Sequence, residues 1–321
     1  MFKKLAKVFA AKVRRSRRLR VIRGDIEKSC ASAGSVNNPL TASIVVSLTS
    51  FPARFSYLHL VIQSLQVQTL RPDKIVLYLD QGHKALLPDR ITKLQSAHFE
   101  IRERPPVRSY AKLVYALEDF SDENIVTVDD DVIYRAELLE TLADGARDTP
   151  GVIMAHRAHR ISTSIDGILL PYTSWSQDVQ DNFARTPSVD LLATGVGGVL
   201  YPPGSMHPDA LDVTLARKIC PEADDIWFYW MARRAGTRYC KVGGATRMLM
   251  TPGSQRIGLR HGNVEGAGND VQIAAMWRRF GPPAGLGAKL PIVDATEGCP
   301  DIERWGTIGP NAPAIDQVRA G

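Results

Sequence analysis

Two groups of acidic residues could do chemistry by their type and spacing: Asp129-Asp130-Asp131, and the pair Asp224-Asp225. Three adjacent carboxylates repel one another, so water, a metal cation or a basic side chain must offset their charge. Alternate residues of an extended segment share one side, which predicts that Asp129 and Asp131 converge on one ion while Asp130 faces elsewhere. So few hard oxygen ligands suit magnesium or manganese, with water and substrate phosphate filling the other positions. The pair opens a helical stretch and has two readings. Asp is a preferred N-cap and is favoured at the positive end of the helix dipole. One of the two could do only that, leaving the other aimed at whatever lies in front of the helix.

The elements that must hold these acids follow from periodicity. In the stretch from Ser109 to Tyr134, Tyr110, Leu113, Val114, Leu117 and Phe120 recur at helical spacing, and Ser121 to Asn124 break the pattern. The short apolar run Ile125 to Val128 then reads as a buried strand. Asp129 to Asp131 therefore sit at the carboxyl end of an internal strand, where open α/β sheets bind ligands. Upstream, Ser43 to Leu48 is a strand ending in Thr49-Ser50-Phe51-Pro52. Leu58, Val61, Ile62 and Leu65 mark a helix, and Lys74 to Leu79 a second strand closed by Asp80. Strand, helix, strand at this spacing predicts a right-handed parallel crossover. With a further strand at Phe99 to Arg102, three polar strand ends, Thr49/Ser50, Asp80 and Asp129, should open on one rim.

The second half is less regular. Gly151 to Ile161 reads as a strand carrying His156 and His159, and Ala193 to Pro203 as a Gly-rich strand or turn. Asp224 and Asp225 lead into Trp227, Phe228, Tyr229 and Trp230, a helix closed at Gly236. Thr237 to Val242 is another strand. His261 to Gly281 is a Gly-rich loop feeding a helix capped by Asn269 or Asp270, and His261 could ligate a metal through a neutral imidazole.

Composition bounds the class. With 321 residues and 44% hydrophobic composition the chain can bury a full core. No apolar run approaches the roughly 18 residues that span a bilayer, and the N-terminus lacks the apolar segment of a secretory signal. Cys30, Cys220, Cys240 and Cys299 are scattered, without zinc or disulfide spacing, and read as free thiols in a reducing cytosol. The net charge of +6 belongs to the leader, because residues 1–23 hold ten Lys or Arg and no acid. Phe2, Leu5, Val8, Phe9 and Val13 could line one face of a helix there. Such a segment lies on an anionic membrane surface or else is a solvated tail. No aromatic residues interleave the basic run, so nucleic acid is not the expected partner. The expected organisation is a basic leader and linker over 1–41, a folded domain over 42–285 and an irregular tail over 286–321.

VVSLTSFPAR, IQSLQVQTLRPDKIVLYLD, YAKLVYALEDFSDENIVTVDDDVIY, TGVGGVLYPP and ADDIWFYWMARRAG, in this order and spacing, resemble bacterial glycosyltransferases of the GT-A fold, close to the family-2 type. The resemblance covers about Ser43 to Phe280, with a weak stretch from Ser162 to Val189. It implies an α/β fold with a mostly parallel central sheet flanked by helices, a nucleotide-sugar donor, a divalent cation and an inverting displacement. It places the nucleotide sugar against Thr49, Ser50, Arg54, Asp80, Lys112, Asp129, Asp130, Gly197 and Gly198. Thr49, Ser50, Arg54 and Asp80 would take the base and ribose, and Lys112 a phosphate. Asp131 would bind the metal directly, with Asp129 on the ribose or a metal-bound water. Asp225 matches the catalytic base, beside Asp224 where Glu is commoner in the family. Asp80-Gln81-Gly82-His83 stands where the family has Asp-Asp-Gly-Ser, a departure that bears on recognition of the donor base. Trp227 and its aromatic neighbours would offer a face for an acceptor sugar, or plain core.

The expectation is a cytoplasmic enzyme at the inner membrane face, acting on a glycan or glycolipid acceptor. Two rivals remain open. A nucleotidyltransferase shares the sheet but usually carries a Gly-rich basic loop after its first strand, where SLTSFPARF has no glycine. A catalytically silent carbohydrate-binding protein of the same fold would survive loss of Asp131.

Overall fold

The computed structural model describes residues 2–245, 248–253 and 268–290, with side chains described from residue 13 onward. The chain opens with a long helix, α1 (Phe2–Ser29). Its C-terminal half is docked: Ile22 is fully buried, Leu19 and Ile26 pack against the same core, and Arg15 lies over the Tyr57 ring at 5.2 Å. Leu19, Ile22 and Ile26 follow i, i+3, i+7 spacing and so form one stripe. The following segment is also tied down, since the Gly34 and Val36 N–H groups donate to the Gln68 and Thr69 carbonyls at 2.9 and 3.0 Å. The region expected as a leader and linker thus joins the folded body from about residue 15.

The strand, helix, strand unit is β1 (Ile44–Thr49), α2 (Phe55–Gln66) and β2 (Lys74–Asp80). A short α3 (Asp89–Thr92) precedes β3 (Phe99–Arg104), followed by α4 (Ala111–Asp119) and β4 (Asn124–Thr127). Then come β5 (Val132–Ile133), α5 (Leu138–Asp148), β6 (Ile153–Ala155) and β7 (Ala158–Arg160). The remaining elements are β8 (Leu191–Ala193), β9 (Val199–Tyr201), α6 (Val213–Ile219), α7 (Asp224–Arg234), β10 (Tyr239–Lys241), β11 (Leu249–Met250) and α8 (Gly268–Phe280).

Seven strands form one sheet in the order β10-β6-β9-β4-β1-β2-β3. β9 is antiparallel to both neighbours and every other adjacent pair is parallel. This is the mostly parallel sheet flanked by helices that the resemblance implied. Side chains alternate along β1: Ile44, Val46 and Leu48 enter the core shared with α2 and α5, while Val45 enters the core shared with α4 and α7. Ser47 lies on the Val45 side, and its hydroxyl donates to the Lys112 carbonyl, tying α4 to the strand.

The strand expected from Gly151 to Ile161 divides. β6 belongs to the central sheet and β7 pairs antiparallel with β8 in a separate ribbon, so the chain leaves the main sheet at His156-Arg157. α7 is buried all round: every residue from Ile226 to Arg233 is inaccessible to solvent or nearly so. A helix apolar on all sides belongs inside the fold. Gly236, just past its end, takes φ 80° and closes it as the sequence predicted.

Candidate active site

β1, β2 and β4 run parallel, so Thr49, Asp80 and Asp129 end on one rim as expected. The hydrogen-bonded ladder carries one residue past β4, with the Val128 N–H donating to the Ser47 carbonyl at 3.0 Å. The chain then turns at Asp130-Asp131. Alternation across an extended strand no longer applies there, and the three acids divide differently from the expectation. Asp130 accepts from the Ser50 hydroxyl at 2.6 Å and from Arg54 Nη1 at 2.5 Å. Asp131 shares the same guanidinium, 3.2 Å away. Asp129 faces the other way and accepts from Lys112 Nζ at 2.9 Å, while its N–H donates to the Tyr134 hydroxyl. Asp129 and Asp131 therefore do not converge; each is matched with a different cation. The expected positive charge is present as Arg54 and Lys112.

Lys112 also reaches Asp224 Oδ2 at 3.4 Å, so this buried ammonium joins the two acidic groups. Burial works against its charge, but the Asp129, Asp224 and Asp225 carboxylates override that and hold it well above the ordinary lysine range. It is engaged inside the cluster rather than projecting toward a phosphate. Asp224 and Asp225 are the first two residues of α7, and neither side chain caps it; Ala223 holds the N-cap position. The N-cap reading is thereby corrected, because both carboxylates turn to Lys112 and to the neighbouring backbone. Both Asp225 oxygens accept from the Gly195 N–H, at 3.2 and 3.3 Å. Burial and the adjacent Asp224 push the Asp225 carboxyl up to about 7, with Asp129 adding to the shift and Lys112 and the Gly195 N–H opposing it. Asp225 still keeps part of its surface open. On the other side, burial lifts the Asp130 carboxyl above its usual range against the pull of Arg54 and Ser50.

Gly195 is the functional glycine that the sequence reading passed over within the ATGVGG run. A Cβ there would stand 2.7 Å from Lys112 Nζ, 3.4 Å from Asp225 Oδ1 and 3.5 Å from Asp129 Oδ1. The missing side chain lets the backbone lie against all three groups. Gly197 and Gly198, expected beside a sugar, instead meet protein: a Cβ would stand 3.0 Å from Arg157 Cβ and 2.9 Å from Leu138 Cδ1 respectively. Gly198 also needs its φ of 90°.

Trp227 is corrected. It is fully buried, donates Nε1–H to the Ala210 carbonyl at 3.3 Å and meets Phe280 edge-on at 5.9 Å, so it offers no face to a sugar. The all-round burial of α7 is the reason. Thr49 Oγ1 donates to the Tyr78 carbonyl at 3.0 Å, and Asp80 ends β2 half-buried on the same rim. His261 lies outside the described residues.

Among the described residues no three His, Cys, Asp or Glu side chains gather as a metal cage. Asp129 and Asp131 are nonetheless hard oxygen donors. Because they face apart, the fit is to an ion held directly by Asp131 alone, a magnesium- or manganese-type ion that takes its remaining ligands from phosphate and water. Among the described residues no helix is long and apolar enough to cross a membrane, and Cys30, Cys220 and Cys240 are free thiols.

No family profile and no curated protein sequence matches this chain. Solved structures do resemble it. Glucosyl-3-phosphoglycerate synthase from Mycobacterium tuberculosis, determined with Mn2+, UDP and phosphoglyceric acid, aligns at 12% identity over 81% of this chain and 84% of its own, with a TM-score of 0.39. GalNAc-T7 with UDP, GalNAc and Mn2+ aligns at 10% identity over 63% of this chain and 42% of its own, TM-score 0.42. CMP:2-keto-3-deoxy-manno-octonic acid synthetase with CTP aligns at 14% identity over 64% and 93%, TM-score 0.37. The likeness is distant in each of these three.

Proposed function

We propose that this chain is an inverting, metal-dependent glycosyltransferase that moves a sugar from a nucleotide-diphosphate donor to a hydroxyl of a glycan or glycolipid. The observation that carries the reading is Asp225: a half-buried residue whose carboxyl is near neutral in proton affinity and faces the end of β4 across Gly195. A general base works best when its pKa lies near the operating pH. In this reading Asp225 takes the acceptor proton as the acceptor oxygen bonds to the anomeric carbon. The bond from that carbon to the donor diphosphate breaks on the opposite side, which inverts the configuration. Thr49, Ser50, Arg54, Asp80 and Asp130 form the donor side of the rim. Asp131 would bind a divalent ion that neutralises the departing diphosphate, with Asp129, which faces the other way, left to the ribose or a metal-bound water. Lys112 keeps Asp129, Asp224 and Asp225 together, setting the distance between the donor and acceptor sides.

Replacing Asp225 by Asn is expected to lower sugar transfer about 100- to 10,000-fold with the fold intact. Transfer within a few fold of wild type would remove Asp225 as the base. Product analysis separates the rival chemistry: nucleoside diphosphate release supports this reading, whereas pyrophosphate release would make the chain a nucleotidyltransferase.

The basic N-terminal segment is proposed to rest on an anionic membrane surface, each basic residue near the headgroups contributing about 1 kcal/mol. Because α1 is docked from about residue 15, the informative truncation removes residues 2–12 alone. It should weaken binding to phosphatidylglycerol vesicles without changing the melting temperature, and unchanged binding would end the membrane proposal.

A further inference from the structure

The second half of the chain gives its buried or half-buried arginines other than Arg157 a carboxylate or more than one carbonyl. Arg160 is matched by Asp181 and Asp190, Arg234 by Asp209, and Arg233 by the Thr237 and Ala284 carbonyls. Arg157 is different. It is half-buried in the turn between β6 and β7, and Nη1 donates to Thr194 Oγ1 at 2.8 Å. Among the described residues no carboxylate lies within ion-pair distance of it. A half-buried guanidinium with a single neutral acceptor leaves most of its N–H donors for another partner.

Its position gives that incompleteness a direction. The Thr194 N–H donates to the Arg157 carbonyl at 3.0 Å, and the next residue, Gly195, holds Asp225 through its N–H. Tyr172 lies edge-on to His159, two residues after Arg157, at 5.8 Å, and 4.9 Å from the Trp175 ring. Burial raises its phenol well above the ordinary range, the Asp225 charge adds to that, and the Arg157 guanidinium opposes it; one hydroxyl thus senses both groups. The Tyr172 hydroxyl has no hydrogen-bond partner among the described residues. The donor side lies elsewhere. Arg157 follows β6, which is separated from β4 by β9, on the side away from β1 and β2.

We infer that Arg157 receives an anionic group of the acceptor, a phosphate or a carboxylate, while the acceptor hydroxyl faces Asp225. This rests on the reading of Asp225 as the base. A guanidinium forms paired, charge-assisted hydrogen bonds with either anion, and such bonds are about twice as strong as neutral ones. A neutral acceptor would displace water from Arg157 without supplying a partner, so the site selects for charge as well as for a hydroxyl.

The test uses the full chain and three probes: sn-glycerol 3-phosphate, D-glucuronate and D-glucose, titrated calorimetrically into wild type, Arg157→Gln and Arg157→Lys. At least one anion is expected to bind wild type about 10- to 100-fold tighter than glucose. That margin should vanish in Arg157→Gln and be partly kept in Arg157→Lys. Whether the phosphate or the carboxylate shows the margin identifies the anion. Anions binding no better than glucose, or a margin that persists in Arg157→Gln, would overturn the inference. So would weaker binding of UDP, GDP or CDP by Arg157→Gln, which would assign the guanidinium to the donor. Asp225→Asn should leave the margin intact. Loss of the base assignment in the transfer assay can thereby be told apart from loss of the anion site.

Discussion

On the β1 side of the acidic run, two carboxylates, Asp130 and Asp131, share Arg54, and the Ser50 hydroxyl supplies a further bond. On the α7 side three carboxylates, Asp129, Asp224 and Asp225, surround one ammonium, Lys112. Both sides carry more negative than positive charge, but they relieve the excess differently. Hydrogen bonds do so around Asp130. Around Lys112, burial and the neighbouring Asp224 raise the proton affinity of Asp225 further than burial raises that of Asp130 against Arg54 and Ser50. The same residue type is thus raised in proton affinity at both places, but only at Asp225 to near neutrality, because the cations and hydrogen-bond donors that oppose burial differ.

The largest way to break this contrast is Lys112→Met, which removes the shared cation and leaves buried acids unmatched. A loss of about 3–5 kcal/mol in denaturant unfolding is expected. In whatever folds, the acid limb of the transfer rate should move above the wild-type position near 7, since Lys112 holds Asp225 down. A limb that stays in place would separate Lys112 from the base. Gly195→Ala is next. Its methyl would stand 2.7 Å from Lys112 Nζ, and displacing that ammonium by even an ångström is expected to lower kcat/KM about 100-fold with little change in secondary structure by circular dichroism.

Arg54→Gln attacks the other side. Leaving Asp130 and Asp131 with neutral partners is expected to cost about 1–3 kcal/mol in thermal or urea unfolding and to leave the acid limb at its wild-type pH. If the limb moves as far as in Lys112→Met, the two sides are one electrostatic unit. The smallest expected effect is a gain. The folded-state pKa of Asp225 is raised to about 7 above an ordinary value of 3.8. Its ionised form therefore opposes folding, and the penalty grows as pH rises from about 4 to 7. Asp225→Asn should melt above wild type at pH 8, with the gain shrinking below pH 7 and gone near pH 4; loss of one Lys112 partner limits its size. A variant melting below wild type at pH 8 would show that Asp225 is not held against its ionisation.

β1, β2 and β4 were legible because each pairs a short β-branched run with a polar stop, and β3 because Phe99 and Ile101 alternate with charged residues. Thr49, Asp80 and Asp129 fall on one rim as a consequence of parallel pairing, which period and spacing alone can anticipate. Gly236 was legible for a similar local reason, the left-handed turn that ends a helix. Trp227 was not. An aromatic residue beside two acids looks the same in a list whether it faces a ligand or fills the interior, and only the packing of α7 on every side decides.

What the sequence by itself determined here is local: which segments extend, which coil, and where carboxylates interrupt them. Which acid meets which cation was decided by the tertiary structure. The turn at Asp130-Asp131 ends the strand alternation, and Lys112, Gly195 and Asp225 come from three separate elements. Charge interactions depend on distance and on exclusion of water, and neither is set until helix and strand ends are packed against one another.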